Sequence, residues 1–137
     1  MSPQKSIRDL FKTDPRLEVE GVALQFADYG SIVVARSGGA NKEARAITER
    51  IFRNYRQVMA MNALDRQTEL ELTAQAAAEG LVKGWTFVDE TGEPMPFSVE
   101  ACKALLVELP DLLEYVIEQS QRIANYALAQ RSDEGKS

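Results

Sequence analysis

Histidine does not occur among the 137 residues, and that absence removes most of the usual chemistry of catalysis. Ser–His and Cys–His nucleophile pairs are excluded, as are histidine zinc sites, and no side chain has an unperturbed pKa close to neutrality. Carboxylate, lysine and tyrosine chemistry remain, but acid–base work leans so heavily on imidazole that the expectation is no enzyme and no cofactor. Cysteine occurs once, as Cys102; one thiol forms no internal disulfide and suits a reducing cytosol. Long apolar runs are missing too. Nothing approaches the roughly 18 residues of a membrane span, and Met1-Ser2-Pro3-Gln4-Lys5 leads into no signal-peptide core. The expectation is a cytoplasmic protein without a membrane partner. Basic residues are in deficit, 16 against 21 acidic ones for a net charge of −5. That removes the general case for a nucleic-acid partner, because such binding draws its affinity from cations neutralising phosphates.

What is present reads as a folded chain. Hydrophobic residues make up 45% and charged ones 27%, enough to bury one core, so a single domain over residues 1–130 with a flexible polar tail at 131–137 is expected. Ile7, Leu10 and Phe11 sit at helical spacing and predict a brief N-terminal helix. From Leu17 to Phe26, Val22, Leu24 and Phe26 alternate with Ala23 and Gln25 as on a strand. Asp28-Tyr29-Gly30 supplies a turn, and the β-branched run Ser31 to Arg36 completes a hairpin. Ser37-Gly38-Gly39-Ala40-Asn41 is a linker, with Asn41 placed to cap a helix by accepting a backbone N–H. In that helix Ile47, Ile51, Tyr55, Val58, Met59 and Asn62 form the inward stripe.

Asp65 caps a second helix through Leu70, Ala74, Ala77, Ala78 and Leu81, ending at Gly80 or Gly84. Gly84 to Phe97 reads as an ordered loop anchored by Trp85, Phe87, Met95 and Phe97. Ser98 caps a third helix, with Ala101, Leu105 and Leu106 facing inward. Pro110 opens a fourth, whose stripe runs Leu113, Val116, Ile117, Ser120, Ile123, Ala124 and Ala127. The fold class is α+β, mainly α: an N-terminal β-hairpin packed on a bundle of about four helices.

Few clusters suggest chemistry. The Gly38-Gly39 linker lacks the spacing and lysine of a phosphate loop and reads as a tight connection. Asp89-Glu90-Thr91-Gly92-Glu93 lacks the ligand pattern of a calcium hand, so no metal site is expected. Lys42, Arg45, Arg53 and Arg56 lie near one another on a helical wheel, but Glu43 and Glu49 interrupt them, which favours a solvated face over a nucleic-acid surface. Cys102 sits at an inward-looking position, as an inert thiol would.

Three blocks carry a resemblance: Leu17-Glu18-Val19-Glu20-Gly21-Val22; Ile32 through Ser37-Gly38-Gly39-Ala40-Asn41-Lys42; and Gly84-Trp85 through Thr91-Gly92-Glu93-Pro94-Met95-Pro96-Phe97-Ser98. With a last helix introduced by Leu109-Pro110-Asp111-Leu112, their order and spacing resemble the tail assembly chaperones of long-tailed bacteriophages, in the short form without the frameshift extension. The resemblance implies a protein of the infected host cytoplasm, absent from the mature virion. It would bind and solubilise the tape measure protein and help recruit tail tube subunits, and a homo-oligomer stays open. A groove between the last helix and the aromatic loop would hold tape measure helices, with Trp85, Phe97, Leu113, Val116 and Ile117 as contacts. A structural virion subunit and a small DNA-binding regulator are the alternatives.

Overall fold

The computed structural model describes residues 3–128; the expected flexible tail at 131–137 lies outside them. Two short helices come first, α1 (Ile7–Phe11) and α2 (Pro15–Glu20). The strand expected from Leu17 is thus shorter. Asp14 accepts the Arg16 N–H and Pro15 takes the first helical position, so residues 15–20 coil, a start for which proline's fixed φ is suited. Gly21, at φ +92°, turns the chain into β1 (Val22–Gln25).

β1 pairs antiparallel with β2 (Ser31–Val34) in the expected hairpin, Leu24 opposite Ile32. The sheet has a third strand. Residues 82–85, read from sequence as a helix end running into a loop, form β3 (Val82–Trp85) on the far side of β2, giving the order β1-β2-β3. The short Val-Lys-Gly-Trp segment gives little alternation to read, whereas the neighbouring strand offers it a ladder of backbone partners.

Four longer helices follow: α3 (Lys42–Phe52), α5 (Arg66–Gly80), α6 (Val99–Glu108) and α7 (Pro110–Ser120), with the short α4 (Arg56–Ala60) between the first two; α5 and α7 meet the sheet, and α3 and α6 pack on α5. Asp65 caps α5 as expected, accepting from the Thr68 N–H at 2.8 Å. Ala74, Ala77 and Ala78 are buried on α5, which packs against both α3 and α6. The approach is close: a Cβ on Gly80 would stand 3.1 Å from Ala44 Cα. Ser98 caps α6 through the Ala101 N–H at 3.0 Å.

The core gathers Ile32 and Val34 of the sheet with Cys102, Leu106, Leu113 and Val116 of the last two helices. Each fully buried aliphatic side chain there contributes about 1.5–3 kcal/mol. Several expectations shift around this core. Asn41 does not cap α3; its buried amide donates to the carbonyls of Arg36 and Gly80 instead, tying the linker to the end of α5. The helix after Asn41 breaks into a 3-10 turn over Arg53–Tyr55, so its single stripe loses phase. Ala44 is its buried residue, Ile47, Ile51 and Tyr55 are half-buried, and Val58, Met59 and Asn62 are exposed. On α6, Cys102 and Leu106 are fully buried, while Ala101 and Leu105 are only half so. α7 ends at Ser120, and Ile123–Tyr126 follows as a 3-10 turn that carries the buried Tyr126 under the sheet, its hydroxyl 3.1 Å from the Val34 carbonyl oxygen.

Candidate functional site

The hairpin turn and the aromatic loop together build one wall of an apolar groove. Phe26 N–H donates to Gly30 O at 2.8 Å, closing the turn. Gly30 sits at φ +94°, where a Cβ would meet Thr86 O at 2.6 Å, so only glycine lets the turn lie against the chain leaving β3. Phe87 then packs on Phe26 (ring centroids 6.1 Å apart) and on Trp85 (5.5 Å), within the range at which ring pairs add to burial.

The loop beyond Phe87 is fixed from within. Trp85 Nε1 donates to Met95 O at 2.8 Å, Met95 N–H donates to Phe87 O at 2.9 Å, and Val88 pairs with Pro94 as an antiparallel bridge. At its tip the Asp89 carboxylate accepts from the Thr91 hydroxyl at 2.6 Å and from the Glu93 and Thr91 N–H groups. Those bonds, the Thr91 hydroxyl foremost, hold the Asp89 pKa below its usual value, since they favour the charged form. The acidic pentapeptide is a self-capped turn. Among the described residues no group of three His, Cys, Asp or Glu side chains could hold a metal ion.

The opposite wall is α6 with the start of α7: Ala101, Ala104, Leu105, Leu109 and Leu112. Between the walls lies an open groove of about 810 Å³, floored by Phe26, Phe87 and Met95. Tyr29, Val88 and Leu109 stand exposed along it. Among the described residues, the charged ones that line it are acidic: Asp89, Glu90 and Glu108. Such a surface can receive an apolar helix face and repel anions.

None of the five residues expected to contact a partner lines this groove. Trp85 and Phe97 brace it from behind, their rings edge to face at 5.1 Å. Leu113 (4% exposed) and Val116 (0%) lie in the core. Ile117 lines a different, more polar cleft of about 890 Å³ between the linker, α3 and α5. The groove residues did leave a signal. Ala101 and Leu105 stand four residues apart on α6, but the break at Leu109 hides from periodicity that Leu109 and Leu112 join them on the same groove.

The linker before α3 is a structural joint. Glu18 and Arg36 form a buried ion pair beside Gly39, and Ser37 N–H donates to Ser120 O at 3.0 Å. Of the basic residues that follow, Arg45 pairs with Glu49 at 3.7 Å and Arg50 with Glu79. Burial pushes the Cys102 thiol up to about 12, because the thiolate would lose its hydration. A thiol reagent at pH 8 should therefore leave Cys102 unmodified in the native protein and label it fully once urea unfolds the chain. Rapid native labelling would contradict its burial.

Scaffold and groove define a mainly helical α+β protein that offers an acid-rimmed apolar surface. The family model of the YdaY prophage protein matches residues 39–137. The chain belongs to that family and is phage-derived. The match takes in every element from α3 onward and leaves α1, α2 and the first two strands outside it. No curated protein and no solved structure matches.

Proposed function

We propose that this protein is a tail assembly chaperone whose groove takes apolar helical segments of the tape measure protein. It keeps them soluble in the host cytoplasm until tail tube subunits, which it helps recruit, close around them, and it is absent from the finished virion. The observation that carries the reading is the groove itself: an apolar floor about 810 Å³ in extent, exposed, with a rim of one charge sign. A holdase needs an open surface that matches an amphipathic helix and charge that keeps the complex in solution. Membership of a prophage family supports it, as does the resemblance of the three sequence blocks.

Co-expression with a tape measure protein tests it. Wild type should raise the soluble tape measure severalfold, whereas Val88→Glu with Leu109→Glu, both at exposed positions, should weaken capture by about tenfold or more. Equal capture by the variant, or no solubilisation by wild type, would remove the proposal. A structural virion subunit predicts the chain in purified particles, which mass spectrometry would detect. A regulator binding DNA through the helix after Asn41 predicts retention on DNA that weakens steeply with salt.

A further inference from the structure

The first ten described residues pose a separate problem. Residues 3–12 are all exposed, yet they carry Ile7 (66% exposed), Leu10 (65%) and Phe11 (56%) on one face of α1. A five-residue helix in water has no means of holding itself, and Ser6, which accepts the Arg8 N–H at 3.2 Å, is its only cap of that kind. The arm bears Lys5, Arg8 and Lys12 against the single acid Asp9. The acid-rimmed groove carries Asp89, Glu90 and Glu108 with no basic residue in its lining among the described residues. Two unpartnered apolar surfaces of opposite charge thus lie on the same chain.

The arm is rooted away from its own groove. Thr13 pairs with Ala127, and Asp14 N–H donates to the backbone oxygen of Tyr126 at 2.8 Å, the residue whose side-chain hydroxyl reaches Val34. Val34 is the last residue of β2, whereas Phe26 and Tyr29 of the groove belong to the turn before its first. Four strand residues rising about 3.3 Å each separate the two ends. The arm is exposed along residues 3–12 and none of its residues lines its own groove, so its apolar face is open to other molecules. We infer that α1 of one copy docks in the acid-rimmed groove of a second copy, Ile7, Leu10 and Phe11 on its apolar floor and Lys5, Arg8 and Lys12 along its rim. Reciprocal exchange closes a dimer, since each copy then gives one arm and receives one. The arm then holds the same groove proposed above for tape measure helices, which would have to displace it; the pairing itself needs no tape measure protein and is tested without it.

Light scattering on the purified full chain across concentration should show the mass rising from 15.2 kDa toward twice that value. Two double variants separate the surfaces: Leu10→Glu with Phe11→Glu on the arm, and Glu108→Lys with Leu109→Lys on the groove. Each alone should dissociate at least about tenfold more readily, with circular dichroism unchanged because all four positions are outside the core cluster. Mixing the two should restore association, because the intact arm of one meets the intact groove of the other. A monomer at every concentration, an association that the arm variant leaves unaltered, or a mixture that stays monomeric would each overturn the inference. So would a monomer whose arm is protected from hydrogen exchange, which places the arm in its own groove.

Discussion

Val116→Asp should leave the chain without a cooperative folded state at room temperature. Val116 is fully buried on α7 in the cluster that joins Ile32 and Val34 of β2 to Leu106 of α6. A carboxylate placed there would be surrounded by aliphatic groups, and an ion buried without a partner costs several kcal/mol after all relaxation. Losing the valine side chain adds about 1.5–3 kcal/mol. A domain of this size has about 5–15 kcal/mol in total, so the two losses together take most or all of it. Ile117→Asp, one residue along, replaces a half-buried side chain at the edge of the polar cleft and should cost about 1–3 kcal/mol. Urea titrations followed by circular dichroism should show no transition for the first variant and a shifted midpoint for the second. A native-like midpoint for Val116→Asp would mean that α7 is packed differently.

The contrast also shows where sequence reasoning reached and where it stopped. Hairpin, linker, two of the three expected caps and the four longer helices were legible because each rests on local chemistry: alternation at Val22 and Leu24, turn residues at Asp28-Tyr29-Gly30, Asp65 and Ser98 as caps, and Pro110 at a helix start. β3 was not legible, because Val82-Lys83-Gly84-Trp85 is short, is interrupted by Gly84 and shows little alternation, and its strand form rests on pairing with β2. Asn41 looked like a cap by type, but its amide meets two carbonyls that the fold brings from Arg36 and Gly80, and local propensity says nothing about the second. Helical periodicity on α7 correctly marked a buried face. The same periodicity cannot tell a core face from a surface one, which is why Leu113 and Val116 were expected as contacts although both lie in the core.

Removing Arg36 should cost more than removing the charge it meets. Glu18 on α2 has a side chain only 4% exposed, and it is matched by Arg36, 24% exposed, two residues after β2 ends. The backbone repeats the link, Arg36 N–H donating to Glu18 O at 2.9 Å. Gly39 completes the joint: it sits beside the pair at φ +57°, a backbone conformation that favours glycine. Arg36→Leu strands a carboxylate that has almost no access to water, and breaking a buried pair from one side costs about 3–5 kcal/mol. Glu18→Gln keeps an acceptor for Arg36, whose guanidinium still reaches solvent, and should cost about 1–2 kcal/mol. Replacing both by leucine should recover part of the loss, because neither charge is then left alone. Denaturation midpoints of the three variants give the order directly. If Arg36→Leu proved no more harmful than Glu18→Gln, the Glu18 carboxylate would have to find water in the folded protein, and the joint between α2, the sheet and the linker would be looser than its geometry requires.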